Sequence, residues 1–389
     1  MQALTGTFPK TKDEHIPSAP LELVKCMSGE GCGLVQLRHS YEIGELYGDN
    51  YGYRSGLNAS MVKHLQAKIK KVIDSFNLKS GDLIVDIGSN DGTSLSSYPA
   101  DKFELVGFEP IGKKFEQYYP ERIRLIPDFF SANRFQKELP GKHASVITSF
   151  SMFYDLEDPT AFMRDIESCL SEEGVWVFEQ SYLPSMLRTN SFDTICHEHL
   201  EFYSLKQINW MAENAGLKIL DVDFNDINGG SFSITAAKTS SNHKVQTEKL
   251  KNIFDDEIGM GLDTLGPWKT FEEQIAKERN SLVHFLEKAA ADGKSVYGLG
   301  ASTKGNVLLQ HFEINEQLLQ AIGEVNKDKF GSFTPGTHIP LIPEDEVLGK
   351  NPDFLLVLPW HFKEFFLSLP KLKGKTLVFP LPKFEVVTI

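Results

Sequence analysis

Val85-Asp-Ile-Gly-Ser-Asn-Asp-Gly92 is the stretch on which the fold turns. The apolar run Leu83-Ile-Val-Asp-Ile87 reads as a strand, and Gly88 opens a turn that lets a ligand approach the backbone. A helix follows, and its first N–H groups have no intrahelical partner. Glu109 ends the next apolar run, Glu104-Leu-Val-Gly-Phe-Glu109, where an acidic side chain can accept hydrogen bonds from both hydroxyls of a ribose. Ala144-Ser-Val-Ile-Thr148 and Gly174-Val-Trp-Val-Phe-Glu179 continue the series. Apolar runs of this kind, alternating with helices, predict an α/β fold with a doubly wound parallel sheet.

Working outward, Met61, Val62, Leu65, Ile69, Val72, Ile73 and Phe76 recur at helical spacing and lead into the sheet. Leu217-Lys-Ile-Leu-Asp-Val222 and Ser231-Phe-Ser-Ile-Thr-Ala-Ala237 are joined through Asn228-Gly229-Gly230, which predicts an antiparallel pair at the sheet edge. Residues 245–292 read as charged helix. Ser295-Val-Tyr-Gly-Leu-Gly-Ala-Ser-Thr-Lys304 and two later apolar runs predict a second, smaller α/β domain. Residues before about 55, rich in Gly, Pro and Tyr, have no helical period. The expected division is a small irregular module at 1–60, a central domain at 61–242 and a C-terminal domain at 243–389.

The formal charge of −13 argues against a nucleic-acid binder, which needs a concentrated basic face. No apolar run approaches the length of a membrane span, and the first residues lack a signal-peptide pattern, so a cytoplasmic protein is expected. Four cysteines in 389 residues make no disulfide framework.

The loop also discriminates among nucleotide-like cofactors. A dinucleotide fingerprint has a second glycine where Asn90 stands here, and Asp91 would bring a carboxylate to the place of a pyrophosphate. Negative charge there favours a cationic ligand. S-adenosylmethionine fits, with a sulfonium, an ammonium and a ribose but no phosphate. Asp86, Gly88, Asn90 and Glu109 are the expected lining. Asp128 and Phe129, after the third strand, are candidates for the adenine or else part of an ordinary turn. Ser149 lies near the ligand-binding edge of the fourth strand.

Asp193-Thr-Ile-Cys-His-Glu-His-Leu-Glu-Phe-Tyr203 places two histidines and two glutamates within five positions. Such a cluster moves protons or binds a metal, and a metal hydrolase would have no use for the adenosine-type loop. In an extended segment His197 and His199 would share a face.

Together these segments resemble the sugar C-methyltransferases that use S-adenosylmethionine on nucleotide-linked keto-deoxysugars. The resemblance rests on Cys32-Gly-Leu-Val-Gln-Leu37, Tyr51-Gly-Tyr-Arg-Ser-Gly-Leu-Asn58, the 85–92 and 193–203 segments, Gly229-Gly-Ser231 and Gly298-Leu-Gly-Ala-Ser-Thr-Lys-Gly-Asn306, in that order along the chain. It implies a zinc-binding N-terminal module, a class I S-adenosylmethionine-dependent methyltransferase sheet and a Rossmann-like domain that helps bind the nucleotide sugar. By resemblance His199 is the base, His197 and Glu198 orient it or touch the sugar, and Tyr53 meets the ketone or its enolate. Ser302, Thr303, Lys304 and Asn306 form a plausible diphosphate cradle, and His361 resembles a segment near this interface.

Two departures matter. The family usually has tyrosine directly before His-Glu-His, where this chain has Cys196, so sugar preference is expected to differ. Zinc ribbons use two cysteine pairs, but only Cys26 and Cys32 stand here, at most half a site, so tight zinc is not expected without an upstream pair. The function implied is methylation of a sugar carbon, C3 by expectation, next to the ketone of a nucleotide-linked 4-keto-deoxysugar. The rivals are O- or N-methylation and a non-catalytic nucleotide-sugar-binding protein. A monomer or homodimer is expected.

Overall fold

The computed structural model describes residues 1–27, 31–40 and 54–389. Near the start, β1 (Gln2–Ala3) pairs with β2 (Ser18–Ala19), and β3 (Leu23–Lys25) pairs with β4 (Val35–Leu37), all antiparallel. Short strands with few apolar side chains cannot bury a core alone, and these lie against the larger domains.

Helix α1 (Ala59–Ser75) starts where the Asn58 side chain accepts from the Ser60 and Met61 amides. Its buried Leu65, Ile69 and Val72 fall on one face at spacings of four and three, and that face covers the central sheet. The sheet contains β5 (Leu83–Ile87), β6 (Glu104–Phe108), β7 (Ile123–Ile126), β8 (Ala144–Phe150), β9 (Leu170–Ser181), β11 (Leu217–Asn225) and β12 (Ser231–Lys238). Its order is β11-β12-β9-β8-β5-β6-β7. The five strands from β9 to β7 are parallel, and β12 and β11 close the edge antiparallel, as the Asn-Gly-Gly turn predicts. Gly230 in that turn has φ 122°, and a Cβ there would meet the Ser185 Cβ at 2.4 Å, so only glycine is accommodated.

One face of the sheet carries an aromatic cluster in which the Trp176 and Phe178 rings stack 3.8 Å apart and Phe153 packs beside Tyr203. Each fully buried side chain of this size stabilises the fold by about 1.5–3 kcal/mol. The tiny strand β10 (Glu201–Phe202) pairs not with this sheet but with β4, tying the residues after the His-Glu-His motif to the N-terminal segment.

Helices α2 (Thr247–Gly259) and α3 (Gly266–Ala291) lead to a second sheet of β13 (Val296–Leu299), β14 (Ile322–Glu324), β15 (Leu341–Pro343), β16 (Phe354–Val357), β17 (Thr376–Phe379) and β18 (Glu385–Thr388). Its order is β15-β14-β13-β16-β17-β18, parallel except for β18. The core of this domain also takes in Leu183, Met186, Phe192 and Cys196 of the central segment, so the two sheets meet across an apolar contact. Among the described residues no helix is long and apolar enough to cross a membrane.

Candidate active site

In an open α/β sheet the ligand crevice lies where the strand order reverses. In the central sheet that point is between β5 and β8. Gly88 leaves β5 with φ 67°, and a Cβ there would press on Met152 at 3.3 Å. Asn90, where a dinucleotide fingerprint has glycine, is itself left-handed at φ 48°, a conformation asparagine tolerates. Its amide donates to Glu109 Oε2 at 2.8 Å, and the Ile111 amide donates to Oε1 at 3.2 Å, so Glu109 is fixed by backbone at the crevice.

Asp86 is buried and accepts from Thr148 Oγ1 at 2.5 Å. Burial pushes its carboxyl up to about 7, the Thr148 bond opposes this, and the charge of Glu109 adds to it. Glu109 is raised as well, chiefly by burial. Among the described residues no cation acts on either group, and two buried carboxyls side by side favour a positively charged ligand. The donor set therefore fits S-adenosylmethionine: Asp86 would hold its cationic part and Glu109 its ribose. Asp91 behaves otherwise than the sequence suggests. Its Oδ2 lies 3.4 Å from Arg54 Nε and accepts from the Gly56 amide, so its charge is already matched, and the phosphate-averse character comes from Asp86 and Glu109.

The remaining crevice candidates are placed less directly. Asp128 pairs with Arg134 at 3.3 Å and accepts from the Phe129 amide, and the Phe129 ring is 54% exposed at the end of β7. Ser149 Oγ accepts from the Trp176 indole at 3.1 Å, which engages it inside the sheet.

The His-Glu-His segment is a turn rather than an extended run, with the His199 amide donating to the Cys196 carbonyl. The imidazoles therefore part company. His197 is buried with Nε2 3.4 Å from the Ala19 carbonyl, under the N-terminal segment. Glu198 is buried and receives a bond from Thr5 Oγ1 at 3.5 Å. Burial raises the Glu198 carboxyl and, more strongly, the Cys196 thiol beside it. Cys196, at the family's tyrosine position, is thus a neutral core thiol.

His199 points elsewhere, into a small cavity shared with Tyr154, Ser181, Tyr182 and Glu201, with the Tyr154 ring 4.2 Å from its own. Its Nδ1 lies 2.7 Å from the Thr194 carbonyl. A carbonyl only accepts, so Nδ1 carries the proton and Nε2 is left with a lone pair. Burial, then the charge of Lys304, lowers this imidazole to about 4, which keeps it neutral and able to accept a proton at physiological pH.

The C-terminal sheet contributes at its own point of reversal, between β13 and β16. Helix α4 (Thr303–His311) follows β13 and is capped by Ser302 Oγ, which accepts from the Gly305 amide at 3.1 Å. Lys304 Nζ donates to the Asn228 carbonyl at 2.7 Å, and Asp193 is the main charge favouring its protonation. Asp193 Oδ2 accepts from the Trp360 indole at 2.7 Å, while burial raises its carboxyl. His361, next to Trp360, is lowered well below its ordinary value by burial and by Lys304. Lys304 and His361 are thus brought to the His199 cleft. Ser302 is occupied as a cap, Thr303 is half-buried on the first turn, and Asn306 Nδ2 donates to the Thr5 carbonyl at 2.8 Å. Tyr53 lies outside the described residues. Cys26 and Cys32 lie between β3 and β4 in the chain, His39 Nε2 lies 3.8 Å from Glu22, and no group of three metal-ligating side chains occurs among the described residues.

Among the described residues, several buried polar atoms of these segments have no hydrogen-bond partner: both amide atoms of Gln180, Asp193 Oδ1 and His361 Nδ1, while Glu201 and Tyr203 bond each other. Buried orphans of this kind are rare and cluster where a ligand completes them. Gln180, Asp193 and Glu201 went unremarked as site residues in the sequence. The position of Asp193 and Glu201 at the two ends of the motif was the available signal.

The strand order, the glycine turn and the paired crevice carboxyls define a class I S-adenosylmethionine-dependent methyltransferase. A methyltransferase domain model matches residues 61–222, and a C-methyltransferase C-terminal domain model matches residues 226–382. The C-methyltransferase NovU of Streptomyces niveus is 27% identical over 374 residues, 95% of this chain and 88% of that protein. The chain is accordingly an S-adenosylmethionine-dependent C-methyltransferase. Among solved structures, the CcbJ methyltransferase of Streptomyces caelestis is similar at TM-score 0.35 and 12% identity, covering 45% of this chain and 89% of that one. The magnesium protoporphyrin IX methyltransferase of Synechocystis PCC 6803 is similar at TM-score 0.36 and 12% identity, covering 50% and 91%. Likenesses this weak add nothing to the strand order. The C-terminal model begins before β12, a strand of the central sheet, so it includes the turn that meets Lys304.

Proposed function

We propose that the enzyme methylates a sugar carbon, C3 by expectation, adjacent to the ketone of a nucleotide-linked 4-keto-deoxysugar, with His199 as the base. The observation that carries the reading is the placement of His199 Nδ1 2.7 Å from the Thr194 carbonyl, which assigns the proton to Nδ1 and the lone pair to Nε2, on a ring that lines a cavity with Tyr154, Ser181, Tyr182 and Glu201. A sugar carbon becomes nucleophilic only when a neighbouring carbonyl can take up the electron pair left by its proton. Nε2 takes that proton, and the pair moves into the enolate. S-adenosylmethionine, when bound, supplies an electrophilic methyl group carried on a sulfonium.

The cation of Lys304 and the imidazole of His361, both from the C-terminal domain, are proposed to face the substrate, with the loop 302–306 toward its diphosphate. Tyr53 is proposed for the ketone, and Phe129 for the edge of the adenine site. The division of the chain at residues 60 and 242 is part of the same proposal. The test is incubation of 4-keto nucleotide sugars with labelled S-adenosylmethionine, followed by NMR of the product. A new methyl on carbon with free hydroxyls supports the reading, and His199→Gln is expected to reduce turnover by about a hundredfold or more. Full turnover by His199→Gln removes it as the base.

A further inference from the structure

Glu201 stands two residues beyond His199 and lines the same cavity. Its backbone is held in β10 by pairing with Gln36 of β4, so the side chain projects from a fixed point. The residue is 8% exposed, and the Tyr203 hydroxyl is the side chain among the described residues that bonds its carboxyl. The titratable groups that face it are Tyr203 on its own strand, His199 before it, Tyr154, Asp155 and Glu157 from the segment after β8, and Tyr182 from the end of β9. None of these is a permanent cation. An ionised carboxylate here would be desolvated with no compensating charge, and Glu157 would repel it. Burial accordingly pushes the Glu201 carboxyl up to about 8, so it is mainly a neutral acid at pH 7.

A buried carboxylic acid has an O–H to donate and needs an acceptor for it. Among the described residues the Tyr203 hydroxyl is the neighbour that bonds this carboxyl, and because it bonds as the donor it leaves the acid's own O–H still to be accepted. The oxygen of a bound ketone is such an acceptor, and it becomes a better one as negative charge builds on it. We propose that Glu201 donates a hydrogen bond to the ketone oxygen of the acceptor while His199 Nε2 removes the proton from the adjacent carbon. This rests on the reading of the reaction given above. The balance is simple. One proton passes from carbon to Nε2, and its electron pair passes into the enolate, whose oxygen Glu201 holds. With S-adenosylmethionine bound, the carbon would take its methyl group, the S–CH3 electron pair staying on sulfur and the enolate returning to a ketone, and the proton on His199 would leave to water. Glu201 keeps its own proton throughout. Donors aimed at a developing oxyanion in a dry cavity are among the strongest contributors to catalysis.

The test uses Glu201→Leu and Glu201→Gln in the full chain, with a 4-keto nucleotide sugar. It reads kcat and KM, exchange of the carbon-bound proton in deuterated water, and S-adenosylmethionine affinity by calorimetry. Glu201→Leu removes the donor: kcat and the exchange rate are expected to fall about a hundredfold, with cofactor affinity within about threefold of the wild type. Glu201→Gln keeps a donor that does not titrate. It should retain activity within about tenfold and lose the decline that the wild type shows as pH rises through about 8. Unchanged turnover and exchange in Glu201→Leu overturn the proposal, as does equal damage in both variants with the alkaline decline intact. If the wild type neither exchanges nor methylates any keto sugar, the reading of the reaction falls and takes the proposal with it. Wild-type turnover with an indifferent Glu201→Leu sinks the proposal alone.

Discussion

Replacing Asp86 with asparagine should make the ligand-free protein more stable at pH 8 while it weakens cofactor binding. The folded-state pKa of Asp86 is about 7, against an ordinary 3.8, with burial the main cause. The sign follows from which state binds the proton. Because the folded value is raised, the unfolded chain releases its proton first. The contribution of this group to stability is therefore complete below about pH 4 and is lost as pH rises through about 7. At about 1.4 kcal/mol per pH unit, the loss amounts to as much as about 4 kcal/mol at pH 8. Asparagine has nearly the same shape, keeps an acceptor for Thr148 Oγ1 and cannot ionise. Urea denaturation should show the two proteins nearly equal at pH 4 and the variant ahead at pH 8. S-adenosylmethionine reverses the ranking, because its cationic part stabilises the ionised carboxylate. Binding at pH 7 should release roughly half a proton in the wild type and none through this group in the variant, read as a dependence of the calorimetric enthalpy on buffer. Loss of a charge-assisted contact should cost the variant about 2 kcal/mol of affinity. The reasoning is refuted if the pH dependence of stability is the same in both proteins, or if the variant binds cofactor as tightly as the wild type.

Lys304→Met removes the charge that holds the His199 imidazole down, so the acid limb of the kcat/KM profile should move toward higher pH, by up to about one unit. Gly230→Ala forces a Cβ to within 2.4 Å of the Ser185 Cβ at a φ of 122°, and urea denaturation should show a loss of about 3 kcal/mol. With a thiol reagent on the native protein, exposed Cys32 should react readily, whereas buried Cys169 and Cys196, both with raised thiols, should react only after unfolding.

The sheet was legible because its inner strands are apolar runs: Leu83–Ile87 and Ala144–Thr148 could be read without any partner in view, and the second proved to extend to Phe150. The antiparallel edge was legible from the turn chemistry of Asn228-Gly229-Gly230. What escaped depended on distant residues. Asp91 looked like the charge that repels phosphate, but Arg54 neutralises it. His197 and His199 looked like neighbours on one face, but the Cys196–His199 turn separates them. Asn306 was read as part of a ligand cradle, and its Nδ2 proves to bond the Thr5 carbonyl, 301 residues away, a partner no local spacing announces. Glu201 was visible in the motif, and its importance lies in burial without a cation, a property of the packed molecule that no spacing encodes.

Thr5 bonds Asn306 through its carbonyl and Glu198 through its hydroxyl, and Ala3 exchanges two hydrogen bonds with Gln310. The opening residues of the chain are thus clamped by residues made about three hundred positions later. At ribosomal speeds of about 5–20 residues per second, the N-terminal segment waits roughly 15–60 s for its partners. Until then Glu198 lacks its contact with Thr5, and Lys304 and His361 have not yet been synthesised. A nascent or truncated chain can therefore assemble the cofactor crevice and the residues that line the His199 cavity before Lys304 and His361 reach it, and the complete site comes late in synthesis.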